Sequence, residues 1–175
     1  MDCLITFLAE LFIDLLDLFA EYLFKPTYSF KKLTDITDEV LEEMKEKHNI
    51  KGIILDVDET IRFNMGLVSK ENDEWIDDVT SKFKVIVVTN GLDHSINSYF
   101  KKKGIKVFCR AFKPLKKYFK KAMEELELPA NEILVIGDNS FTDVLGGNRM
   151  KMTTCKVKNH KGFKLRNRQP KYFRK

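Results

Sequence analysis

The chain has 175 residues, 43% of them hydrophobic and 33% charged. That composition fits one soluble domain with a real core and excludes disordered, collagen-like and disulfide-scaffold classes. The net charge of +5 is unevenly spread: residues 1–24 hold five acids and no base, residues 25–150 balance at zero, and residues 151–175 hold ten bases and no acid. Any anionic partner must therefore answer to the tail.

Residues 3–24 are almost wholly apolar apart from Glu10, Asp14, Asp17 and Glu21. Steps of four, three and four place those acids on one stripe of a helix. A membrane span would carry Asp14 and Asp17 near its middle at ~2.5–3.5 kcal/mol each, and the acidic start does not fit a signal peptide. The segment reads instead as an amphipathic helix of about 33 Å, at ~1.5 Å per residue. Its wide apolar face is expected to pack on the domain or on a second copy of the chain, the latter giving a homo-oligomer through residues 3–24. Lying in a membrane interface is the alternative, disfavoured at anionic headgroups by the acidic stripe.

Lys25-Pro26 ends that helix, and residues 27–36 read as a linker. Thr37 is expected to cap a helix running to about His48, with Asp38 and Glu39 suited to its N-terminus. Strand-length apolar runs then recur at Gly52–Leu55, Val85–Val88, Ile105–Phe108, Ile133–Ile136 and, more weakly, Thr153–Val157. Helical stretches over 70–82, 92–103, 114–127 and 141–149 separate them. Continuous apolar strands alternating with helices predict an α/β fold, a doubly wound parallel sheet covered on both faces. The organisation expected is an acidic helix over 1–24, an α/β domain over 25–157 and a basic tail over 158–175. Gly146-Gly147-Asn148 reads as a helix stop and turn. Cys3, Cys109 and Cys155 form no CxxC pair and predict free thiols in a reducing cytoplasm.

In such a sheet, ligands bind beyond the carboxyl ends of the strands. The residues just past each strand end are therefore informative: Asp56-Val57-Asp58-Glu59-Thr60, then Thr89-Asn90-Gly91, then Lys113-Pro114, then Gly137-Asp138 with Asp143 five residues on. Asp56, Asp58 and Asp138 would repel one another unless a cation sat among them, and hard oxygen ligands suit Mg²⁺. Thr89 and Lys113 offer a hydroxyl and a positive charge to phosphate oxygens. Asn90 is a further substrate-binding candidate, with a turn role as its alternative. Asp143 could instead cap the following helix. An aspartate in such a site can attack phosphorus, and Asp58, two residues past Asp56, could protonate a leaving group and then deprotonate water.

DVDET, VTN, KP and GDNSFTD, in that order and each at a strand end, resemble the four motifs of the haloacid dehalogenase (HAD) superfamily of phosphohydrolases. KPTYSFKKLTDITDEVL, KVFCRAFKP and VIGDNSFTDVLGGNRMKM are similar to the YqeG-type phosphatases of HAD subclass IIIA, relatives of phosphatidylglycerophosphatases, over about residues 25–157. The resemblance implies Asp56 as nucleophile, Asp58 as acid/base, and Thr89 and Lys113 as phosphate binders. It also implies Mg²⁺ held by Asp56, the Asp58 carbonyl and Asp138, with Asp143 in support. Three positions depart from the pattern: relatives usually read Asp-Leu-Asp-Asn-Thr-Leu where this chain has DVDETIR, so Glu59 and Arg62 are unusual, and Lys151 stands where relatives often have Gly. Arg62, on the flap, could touch substrate.

The gaps between motifs hold no more than one helix and a flap, so no cap domain is expected and the crevice should be open. An open crevice suits a phosphate on something large, such as a lipid headgroup, a polynucleotide end or a phosphoprotein. The tail mixes cations with Phe163, Leu165, Tyr172 and Phe173. It could hold an anionic membrane, at ~1 kcal/mol per cation near the surface, or track nucleic-acid phosphates, or be solvated. The expectation is a Mg²⁺-dependent phosphomonoesterase, cytoplasmic and peripheral at a membrane, with phosphatidylglycerophosphate as the leading substrate. The alternatives are a nucleic-acid-end or protein phosphatase and a non-catalytic docking protein.

Overall fold

The structure is a computed structural model and describes residues 22–63 and 65–157, together with residues 11, 12, 15 and 19. Six strands form one wholly parallel sheet: β1 (Tyr28–Phe30), β2 (Gly52–Leu55), β3 (Lys84–Val88), β4 (Lys106–Phe108), β5 (Ile133–Gly137) and β6 (Thr153–Val157). Their order across the sheet is β1-β6-β5-β2-β3-β4. The helices are α1 (Asp38–His48), α2 (Lys70–Lys82), α3 (His94–Lys102), α4 (Lys116–Leu126) and the short α5 (Leu145–Arg149), which follows a π-type turn over Ser140–Val144.

The unbroken apolar strands serve two cores at once. Successive side chains point to opposite faces. Ile53, Leu55, Val87, Leu134 and Ile136 pack with Met44 of α1, Trp75 of α2 and Phe100 of α3. Ile54, Ile86, Val88, Ile133 and Val135 pack with Phe119 and Leu126 of α4. The doubly wound arrangement is the direct consequence, and among the described residues no cap domain interrupts it.

Three features differ from the sequence expectations. The linker over 27–36 contains β1, which adds to β6 with Tyr28 opposite Cys155. Its anchor is a reciprocal pair in which Thr27 N donates to Thr154 Oγ1 at 3.2 Å and Thr154 N donates to Thr27 Oγ1 at 3.3 Å. Thr37 stands at the N-cap of α1, but its side chain makes no capping hydrogen bond. Gly146 and Gly147 lie inside α5 and are buried, because neighbours leave no room for a side chain: an added Cβ would come within 2.5 Å of the Phe119 ring and 2.6 Å of Thr154 Cγ2, respectively. The chain reverses just after α5, at Lys151, whose φ of 62° is the left-handed region that favours glycine.

Of the predicted N-terminal helix, the described residues 11, 12, 15, 19, 22 and 23 are helical, and Phe12, Leu15, Phe19, Tyr22 and Leu23 are exposed. The rest of that segment, Cys3 and the tail over 158–175 lie outside the described residues. No helix among the described residues is long and apolar enough to cross a membrane.

Candidate active site

Because all six strands run parallel, every strand-end cluster is delivered to one edge of the sheet. β2 and β5 are neighbours, which puts the Asp56 and Asp138 loops side by side; Asp56 N donates to Ile136 O at 2.9 Å and fixes that register. Past β2 the chain folds into a tight turn in which Val57 O accepts from the amides of Thr60, Ile61 and Arg62. Thr60 is fully buried and donates to Asp56 Oδ2 at 3.3 Å. Asn72 of α2 donates to Ile61 O at 2.7 Å and ties the turn to the helix behind it.

Lys113 supplies the central cation. It is buried, and its Nζ donates to Asp56 Oδ1 at 2.5 Å and to Asp143 Oδ1 at 2.6 Å. The Lys113–Pro114 peptide is cis. Asn90 holds the Lys113 main chain from β3: Lys113 N donates to Asn90 Oδ1 at 2.7 Å, and Asn90 Nδ2 donates to Lys113 O at 3.3 Å. Both ends of the Asn90 amide are thus engaged. Thr89 is buried at the end of β3, and its hydroxyl accepts from Gly91 N at 3.0 Å while its proton stays available to donate.

Asp143 is buried and does not cap a helix. That task falls to Asn139, whose Oδ1 accepts from Phe141 N at 2.9 Å and Thr142 N at 2.8 Å. Asp143 Oδ2 accepts instead from Asn139 N at 3.2 Å. Asp56, Asp138 and Asp143 each offer a carboxylate oxygen, and those oxygens lie within 4.8 Å of one another. Burial pushes the Asp56 carboxyl up to about 6; Lys113 opposes that rise and Asp143 adds to it. Burial works against the Lys113 charge, but Asp143 and Asp56 outweigh it and hold the ammonium above its ordinary range.

Three carboxylates and one ammonium leave two negative charges in a set of hard oxygen donors. A divalent cation of the Mg²⁺ kind balances that deficit, so the residues present fit a metal site.

Residues 15–162 match the family described as mitochondrial PGP phosphatase. A Bacillus subtilis (strain 168) protein named "Probable phosphatase YqeG" is 34% identical over 128 residues, covering 72% of this chain and 72% of that one. The chain belongs to this family. It is a HAD-type phosphatase. An uncharacterized protein from Listeria monocytogenes serotype 4b superposes with a TM-score of 0.50 at 18% identity, over 60% of this chain and 76% of that one. A 2-haloacid dehalogenase from Pseudomonas syringae pv. Tomato DC3000 gives a TM-score of 0.46 at 18% identity, over 50% of this chain and 40% of that one.

Within this phosphatase, Asp58 is partly exposed and faces the other wall of the crevice. An added Cβ on Gly91 would lie 2.7 Å from Asp58 Oδ2 and 3.4 Å from Thr89 Oγ1, so the carboxylate and the hydroxyl converge on that glycine. Arg62 holds Asp58 there: its Nε donates to Asp58 Oδ1 at 3.0 Å, and its Nη1 donates to Asp93 Oδ2 at 2.6 Å. Arg62 is only 3% exposed. Its guanidinium is thus committed to two carboxylates, one on the flap and one at the N-cap of α3. Sequence reasoning flagged Arg62 but missed Asp93, 31 positions away in the chain. Glu59, at the other unusual position, adopts φ 60°.

Proposed function

We propose that this phosphatase hydrolyses a phosphomonoester through an aspartyl-phosphate on Asp56, with Mg²⁺ as cofactor and phosphatidylglycerophosphate as the best single substrate. The observation that carries the reading is the buried Asp56 carboxylate at the centre of the Lys113, Asp138 and Asp143 cluster. In the first half-reaction an Asp56 oxygen attacks phosphorus, the bond to the leaving oxygen breaks, and Asp58 supplies its proton to that oxygen. In the second, water attacks the phosphoryl group, Asp58 takes the water proton, and the bond to Asp56 breaks. Inorganic phosphate leaves and both aspartates return to their starting states.

Lys113 neutralises Asp56 for attack on an anion and offers its charge to the transferring group. Thr89 donates its hydroxyl proton to a phosphate oxygen, and Asn90 contributes by fixing the loop that carries Lys113. Asp56, the Asp58 carbonyl and Asp138 would hold Mg²⁺, with Asp143 in support, and the ion would supply charge stabilisation for the phosphoryl oxygens.

The open crevice and the family favour a lipid phosphomonoester. The protein then works in the cytoplasm, peripheral to an anionic membrane that the tail over 158–175 engages, with residues 3–24 pairing two copies. The free thiols Cys109 and Cys155 support a reducing compartment. A phosphoester panel that includes phosphatidylglycerophosphate, run with and without Mg²⁺, tests the reading. The lipid ester should be the preferred substrate and turnover should require the ion. Preference for a nucleotide or phosphopeptide would replace the substrate.

A further inference from the structure

Among the described residues, large exposed apolar side chains occur in two places only. One is the helical segment between residues 12 and 23. The other is the catalytic edge of the sheet, where each of four neighbouring strands contributes. Met65 (70% exposed) and Leu67 (93%) follow β2, Leu92 (50%) follows β3, Phe112 (67%) and Leu115 (58%) follow β4, and Phe141 (38%) follows β5. Scattered exposed apolar groups are ordinary, but a rim of them around one crevice marks an interaction surface. Met65 and Phe112 hold this exposure in left-handed backbone, with φ 55° and 51°, a conformation uncommon for such side chains.

Charge indicates the occupant. Beside Phe112 and Leu115, Arg110 of the same loop and Lys116 and Lys117 of the first turn of α4 are exposed. β6 ends at Val157 on this same edge, and residues 158–175 continue from that point with eight bases and no acid. Apolar groups with exposed cations beside them, and a basic segment that follows β6, match the boundary between acyl chains and anionic headgroups.

We propose that the catalytic edge is itself the membrane-docking face. Its apolar rim enters the headgroup region of an anionic bilayer and brings the crevice down onto a phosphomonoester at the lipid surface. The proposal relies on the phosphatase reading only for what the crevice does once docked.

The test uses the full chain with sedimenting vesicles of phosphatidylcholine containing phosphatidylglycerol, and p-nitrophenyl phosphate with Mg²⁺ as a soluble substrate. Wild type should sediment with the mixed vesicles. A Leu67→Ser/Leu115→Ser variant should partition roughly tenfold more weakly, with hydrolysis of the soluble ester unchanged. Met65→Ser/Leu92→Ser, on the loops after β2 and β3, should do the same. Wild-type indifference to the vesicles, or variants that bind as tightly as wild type, would overturn the proposal. So would a dimer of wild type that these substitutions dissociate without any vesicle binding, since a second copy would then cover the rim. Failure of the phosphatase reading shows separately, as absent hydrolysis of the soluble ester by wild type.

Discussion

Arg62 links the two walls of the crevice through carboxylates that are far apart in sequence, and its role is separable from that of the reacting groups. Removing it frees Asp58 to rotate away from the leaving group, so Arg62→Ala should lower kcat by about tenfold to hundredfold with KM little changed. Arg62→Lys should recover part of the loss, because it keeps the charge without the fork that reaches both acids. Steady-state kinetics of the two variants decide this; a rise in KM alone would mean that Arg62 binds substrate. The same guanidinium, followed by Ser95, holds the Asp93 carboxyl well below the usual carboxylate range of about 3.8. A depressed folded-state value contributes stability that is complete above the unfolded carboxylate value and is lost as pH falls toward the folded one. Urea midpoints should therefore drop between pH 5 and pH 3 in wild type and drop less in Asp93→Asn. Gly91 belongs to the same scale. A methyl there presses on the Asp58 carboxylate, which Arg62 holds, so Gly91→Ala should cost about tenfold in kcat and lower the melting temperature through overpacking.

At the scale of elements, strands with two buried faces were the most legible part of the sequence, since an unbroken run such as Ile53-Ile54-Leu55 has few other uses. β1 was hidden because it is three residues, Tyr-Ser-Phe, of which the middle one is exposed. The start of α3 was misplaced by two residues: Asp93 accepts from Ser95 N at 2.8 Å and takes the N-cap, a competition that composition does not reveal. Gly146-Gly147 looked like a break because the cause of those glycines is tertiary, the close approach of Phe119 and Thr154. Gly146→Ala should therefore destabilise by roughly 1–3 kcal/mol through overpacking. Lys151→Gly should instead stabilise by about 0.5–1 kcal/mol, relieving a left-handed side-chain residue at some cost in unfolded-state freedom. Thermal melts of the two variants should move in opposite directions, and a destabilised Lys151→Gly would mean that its side chain has a use in the fold.

For the whole molecule, the parallel sheet turns chemistry dispersed over some ninety residues into one cluster, which is why the site could be read from the residues just past each strand end. Asp56, Lys113, Asp138 and Asp143 were legible in that way and do assemble. The engagement of Asn90 with the Lys113 main chain and the tether from Arg62 to Asp93 were not, because both join loops that only the fold brings together. The acidic set also makes a prediction for metal binding. Asp138→Asn removes a candidate ligand, and calorimetric titration should show Mg²⁺ affinity reduced roughly tenfold or more.

The central claim is that an Asp56 oxygen attacks phosphorus. Its most direct measurement is acid quenching of the enzyme during turnover of a phosphomonoester with Mg²⁺, followed by mass analysis of the peptide containing Asp56. A phosphoryl adduct on Asp56, absent in Asp56→Asn along with at least roughly three orders of magnitude of the rate, is the predicted result. Turnover by Asp56→Asn at the wild-type rate, or an adduct on another residue, would contradict it.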